Sequence, residues 1–115
     1  MSRNLKLYLN DILSRINKIQ LYTENITESE LLEDEKTLDA VTHNLMIIGE
    51  ATKNIPSEIR QEYKYIQWKQ IIGLRNIIAH TYFSLDYEII WDIVSNKKLD
   101  ELKQLIPIIL EKIDT

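Results

Sequence analysis

The 115-residue chain has no cysteine. That excludes disulfides, thiolate metal sites and a cysteine nucleophile, and it fits a cytoplasmic location. Two glycines and two prolines leave little turn chemistry for β-hairpins. No uninterrupted apolar run approaches the ~20 residues of a membrane span, so no membrane contact is expected. The opening stretch MSRNLKLYLNDIL lacks the continuous apolar core of a signal peptide. His43 and His80 are the only histidines. They lie far apart in sequence, and neither has a carboxylate at ligand spacing, so neither a metal nor any other cofactor is expected. Gly49 and Gly73, the only glycines, make no phosphate-cradling loop. The GS…D-x-D arrangement with which a nucleotidyltransferase holds its metals is missing too, so the chain is not expected to transfer nucleotides itself.

What remains is rich in Leu, Ile, Lys and Glu and reads as all-α, in one domain over residues 1–115. Leu5, Leu9, Ile12, Ile16 and Ile19 recur at three- and four-residue spacing and predict a helix from Asn4 to Tyr22. Thr27 followed by Glu30 is a capping-box pattern that can start a short helix, in a stretch with little apolar surface that is expected to be an acidic, solvated connector. A long helix is expected from Glu35 to Asn54, with Leu38, Val41, Leu45, Ile48 and Ile55 along one stripe and Ala40, Ile47 and Ala51 widening it. That is more apolar surface than a one-faced helix needs, so part of it is available to a partner chain. Gly49 inside this helix costs ~1 kcal/mol relative to alanine, which close approach of another backbone would justify. Pro56, Ser57 and Glu58 suit a helix start. Trp68 begins a helix carrying Ile71, Ile72, Leu74, Ile77 and Ile78. The stretch FSLD then reads as a break, with Ser84 or Asp86 capping a helix through Asn96. A last helix runs from Leu99 to Ile113, where Pro107 is expected to force a kink or restart. Trp68 and Trp91 read as core or interface aromatics.

Charge is uneven along the chain. The net charge is -4, but residues 22–50 hold eight acids against one base (-7), while residues 51–82 hold five bases against two acids (+3). An acidic protein with a locally basic stretch is compatible with an anionic substrate. Within that stretch lies GLRNIIAHTY, residues 73–82. On an ideal helix Arg75 and His80 are ~140° apart, whereas Asn76 and His80 share a face, so the Asn76 amide can touch the imidazole and set its tautomer. A long arginine side chain still reaches the same region. These groups suit metal-free RNA cleavage. Histidine can move protons near neutral pH, and the arginine fork matches a phosphate gaining charge. One histidine is half of an acid–base pair, and a symmetric dimer would bring the other half to a shared cleft. On spacing alone, an R-N…H helix is more often surface or capping chemistry. His43 beside the apolar stripe is assigned no role.

The stretch RNIIAHTY, 75–82, resembles the R-x4-H-x-Y signature of the HepT-like toxins of the HEPN superfamily. IIGEATKNIP (47–56), WKQIIGLRN (68–76) and YFSLDYEIIWDIV (82–94) are similar to the same family, so the resemblance covers roughly residues 38 to 110. It implies an all-α HEPN-type helical bundle that forms a homodimer with a shared cleft. It also implies a metal-independent endoribonuclease, the toxin of a type VII toxin–antitoxin module, with RNA, and transfer RNA first, as substrate. The implied partner is an MNT-type nucleotidyltransferase antitoxin that transfers AMP from ATP to the motif tyrosine, here Tyr82. In this reading His80 is the general acid/base, Arg75 binds the scissile phosphate and Asn76 orients either. Lys53, Arg60, Lys64 and Lys69 are candidate RNA-backbone contacts. Glu50 is a candidate cleft residue that can pair with Arg75. The alternative is a non-catalytic nucleotide- or protein-binding subunit of a nucleotidyltransferase complex; a third reading is a helical dimer with no RNA role.

Overall fold

The computed structural model describes residues 3–84 and 86–114, with the side chains of Arg3 and Tyr82 outside the description. Eight helices and no strand occur among the described residues. They are α1 (Arg3–Tyr22), α2 (Glu28–Glu33), α3 (Glu35–Thr52), α4 (Ser57–Glu62), α5 (Trp68–Ile72), α6 (Leu74–Ser84), α7 (Glu88–Ser95) and α8 (Asp100–Ile113).

The bundle is organised around α3. The long helix α1 lies along it, α5 and α6 pack on it further on, and α8 packs on α1. The stripe predicted for α1 is the buried one: Leu5, Leu9, Ile12, Ile16 and Ile19 are each at most 3% exposed. They meet Leu38, Val41, Leu45 and Ile48 of α3 and Leu102, Leu105, Ile106 and Ile109 of α8 in one cluster. Each such burial contributes about 1.5–3 kcal/mol relative to exposure, and the resulting body measures 46 × 26 × 23 Å.

Polar groups inside the bundle are satisfied locally. Asn44 on α3 donates to the Ala40 carbonyl at 2.8 Å and accepts from Arg15 of α1 at 3.0 Å. Thr52 and Thr81 each donate back to the carbonyl four residues earlier, at 2.6 and 2.8 Å.

The capping box opens α2 as expected: Thr27 Oγ1 accepts from Glu30 N–H, and Glu30 Oε1 accepts from Thr27 N–H. The segment is largely exposed, as expected, but it is also anchored. Leu31 is fully buried, which anchors α2 to α3 and α7. Asp34 then caps α3, accepting from both Thr37 N–H (3.1 Å) and Thr37 Oγ1 (2.6 Å). These bonds hold its carboxyl below the usual range.

Other boundaries also differ from expectation. The helix begun by Trp68 is two helices, because the chain turns at Gly73 between α5 and α6. Both Phe83 and Ser84 belong to α6, so FSLD is no break at its start, and α7 follows Tyr87 with no side-chain cap from Ser84 or Asp86. α8 continues through Pro107. Pro107 is exposed, so its ring meets solvent and not the core. Trp68 is buried with its indole N–H on the Tyr63 carbonyl at 3.0 Å, and Trp91 packs at the core edge.

Gly49 explains how α6 is set on α3. A Cβ there would stand 3.0 Å from the Ile71 carbonyl oxygen, 3.3 Å from Leu74 Cβ and 3.4 Å from the Ile72 carbonyl oxygen. The end of α5 and the start of α6 therefore ride directly over the α3 backbone, as the cost of a mid-helix glycine suggested. That contact places the motif helix beside Glu50.

Candidate active site on α6

Leu74, Ile78 and Thr81 are the buried positions of α6. Their spacing, i, i+4 and i+7, fixes which face packs on α3. Arg75, Asn76, Ile77, Ala79, His80 and Phe83 are left exposed. Arg75 and His80 lie on opposite flanks of this broad outward face, with Ala79 between them, as helical geometry requires of a five-residue separation.

Arg75 does not stand alone. Its Nη1 donates to Glu50 Oε1 of α3 at 3.3 Å, and Lys53 Nζ lies 3.7 Å from the same oxygen. The Arg75 and Glu50 side chains are 59% and 44% exposed. An ion pair this open contributes at most about 1 kcal/mol. It orients the guanidinium more than it stabilises the fold, and an incoming phosphate can displace the carboxylate.

The structure brings together Glu50, Lys53 and Arg75 at the end of α3 and the start of α6. It does not join Asn76 to His80. Both are exposed, and no hydrogen bond links them among the described residues, so the expected tautomer-setting contact is absent. Their shared face is open to water, which competes for both groups. The backbone of Tyr82 is in α6, and its side chain lies outside the described residues. His43 is exposed on α3.

The four candidate backbone contacts fall into two places. Lys53 belongs with Glu50. Arg60, Lys64 and Lys69 instead line a separate groove at the α4–α5 corner.

Sequence reasoning missed Phe83, which is 90% exposed on α6. The sequence reads it as part of a break, yet its position three residues after His80 puts it on the same face once the helix is extended. Among the described residues no three His, Asp or Glu side chains gather closely enough to hold a metal ion. No described helix is long and apolar enough to cross a membrane.

The family model described as "Ribonuclease HepT-like" matches residues 12–109. The chain belongs to the HepT-like ribonuclease family. That match runs from the middle of α1 to the last turns of α8 and includes the whole α3–α6 junction. A relative from Methanocaldococcus jannaschii, "Putative RNase MJ0127", is 40% identical over 107 residues, covering 93% of this chain and 88% of the relative. "Probable ribonuclease HepT" of Thermococcus cleftensis is 38% identical over 94 residues, covering 82% and 86%. A second M. jannaschii protein, "Gamma-glutamylcyclotransferase and putative RNase MJ0434", is 39% identical over 114 residues, and this chain spans 51% of its length. No solved structure matches the HepT-like chain significantly.

Proposed function

We propose that this chain is a metal-independent endoribonuclease, a single HepT-like domain that works as a homodimer. The observation that carries the reading is the outward face of α6, where Arg75, Asn76 and His80 stand interleaved with exposed Ile77, Ala79 and Phe83. Polar groups suited to phosphate and proton chemistry are mixed with apolar surface that another protein face would cover. A second copy packed across this face by two-fold symmetry covers the apolar residues and brings two motifs to one cleft.

In that cleft the RNA 2′-hydroxyl attacks the adjacent phosphorus. The O2′–P bond forms and the P–O5′ bond breaks. One histidine takes the 2′-hydroxyl proton while a second acid, from the other copy's motif, protonates the leaving 5′ oxygen. The products carry a 2′,3′-cyclic phosphate and a 5′-hydroxyl. Arg75, released from Glu50 by the phosphate, balances charge gained by the phosphoryl oxygens. Asn76 orients the phosphate or the imidazole.

The same reading makes the chain the toxin of a type VII module, acting in the cytoplasm with transfer RNA as first substrate. Its antidote is an MNT-type nucleotidyltransferase that moves AMP from ATP to the Tyr82 hydroxyl, releasing pyrophosphate. Tyr82 is two residues from His80 on the same helix, so a phosphodiester-linked nucleotide there adds bulk and negative charge that repel RNA.

The test is incubation of end-labelled transfer RNA with protein whose intact mass shows no AMP, in EDTA, comparing wild type with His80→Ala. Cleavage by wild type alone, with RNA binding kept in the variant, is the expected result. Equal cleavage by both removes His80 from the mechanism. RNA binding without cleavage by either favours a binding subunit.

A further inference from the structure

The groove at the α4–α5 corner, about 520 Å3, is lined by Arg60, Lys64 and Lys69 together with Gln67, Gln70 and Trp68. No carboxylate lines it, although the chain as a whole carries a net charge of -4. Neither acid of α4 lines the groove, although Ser57, the partner of Glu58, does. Glu62 accepts from Lys112 of α8 at 2.6 Å, and Glu58 accepts from Ser57 at 3.1 Å. Lys64 and Lys69 are exposed, and neither forms an ion pair among the described residues. Arg60 donates its Nε to the Ile55 carbonyl at 3.1 Å, which steadies the guanidinium at the groove wall. Three cations without counter-charges, beside amide side chains able to donate to oxygen, match a run of phosphodiesters better than a single compact anion.

We propose that this groove is a second RNA site that grips the sugar-phosphate backbone of a single strand whose scissile bond lies on the α6 face. The two sites are close along the chain. Lys69 and Arg75 are six residues apart, so their Cα atoms are separated by at most about 21 Å. A strand of no more than about six stacked nucleotides, at ~3.4 Å each, touches both. The groove therefore contributes affinity to a strand long enough to reach both sites. This rests on the chain acting on RNA, but it requires no turnover.

The experiment measures binding of a labelled single strand longer than that span, across a salt series, in a His80→Ala background so that cleavage cannot interfere. Adding Arg60→Gln, Lys64→Gln and Lys69→Gln is expected to lower the slope of log affinity against log salt by about 2, at ~0.7 for each phosphate no longer neutralised. Because Arg60 also braces the Ile55 carbonyl, the Lys64→Gln/Lys69→Gln pair is made separately, with an expected drop of about 1.4. Lys97→Gln/Lys98→Gln removes equal charge elsewhere and is expected to leave the slope unchanged. An unchanged slope in the groove variants overturns the proposal, as does an equal fall in the control pair or an absence of RNA binding. An unchanged slope is also the outcome if the groove holds an acidic protein. If wild type binds RNA without cutting it and the groove variants lose the slope, the nuclease reading fails while the groove stands.

Discussion

Replacing Gly49 with alanine sets two opposed effects against each other, and the structure decides the sign. In a solvated helix interior alanine is favoured over glycine by about 1 kcal/mol. Here the new Cβ meets the Ile71 carbonyl oxygen at 3.0 Å, with Leu74 Cβ and the Ile72 carbonyl oxygen at 3.3 and 3.4 Å. Two of the three are backbone atoms at the end of α5 and cannot rotate away. Relief requires α5 and the start of α6 to lift from α3, and overpacking of this kind costs about 1–3 kcal/mol. A net loss on the order of 1 kcal/mol is expected, lowering the melting temperature by roughly 4–8 °C. Gly73→Ala is the control. Its Cβ would meet only the Lys69 and Gln70 carbonyls, at 3.3 and 3.6 Å, and its φ of -78° suits any L-residue. It is expected to match wild type within about 0.5 kcal/mol. Thermal and urea unfolding of the three proteins read the difference. A Gly49→Ala protein as stable as wild type, or more so, refutes the argument that backbone approach explains this glycine.

Three further outcomes follow from named contacts. Glu50→Gln removes the carboxylate facing Arg75 and Lys53; stability is expected to change by less than about 1 kcal/mol, while RNA affinity in filter binding rises because two cations are freed. Phe83→Glu alters a side chain that is 90% exposed in the single chain, so the helical content should hold at 25 °C, while sedimentation shows weakened association if a second copy covers this face, with a lower and concentration-dependent melting temperature. The Asp34 carboxyl has its folded pKa lowered by the Thr37 hydroxyl and amide, from an ordinary 3.8. The unfolded chain therefore binds the proton more readily. The stabilisation by Asp34 is complete above about 3.8 and disappears as pH falls through the lower folded value. The gap in urea midpoint between wild type and Asp34→Ala should be constant near neutrality and narrow only in that acid window.

The helices with one clear apolar stripe were legible before the structure. α1 and α3 bury the residues their periodicity marks, because a single face meets the core. The division at Gly73 was not legible, since Ile71, Leu74 and Ile78 keep helical spacing across it and only packing of the α5 end on Gly49 explains the turn. Leu31 was hidden among acids, and its burial depends on α3 and α7 meeting it from elsewhere in the chain. The restart expected at Pro107 does not occur, since α8 runs unbroken from Asp100 to Ile113. At the candidate site, the residue types and their helical spacing were readable, and so was the reach of Arg75 to Glu50. The split of Lys53 from Arg60, Lys64 and Lys69 was not, because it is set by the corner between α3, α4 and α5 and not by distance along the chain. The open face around Asn76 and His80 likewise depends on what packs against α6, which helical spacing does not state.

Cleavage by transesterification through His80 leaves its signature in the chemistry of the cut ends. Transfer RNA incubated with unmodified protein in EDTA is predicted to yield fragments with 2′,3′-cyclic phosphate and 5′-hydroxyl ends, and His80→Ala to yield none. Fragments carrying 3′-hydroxyl and 5′-phosphate ends, or cyclic ends produced equally by His80→Ala, would contradict it.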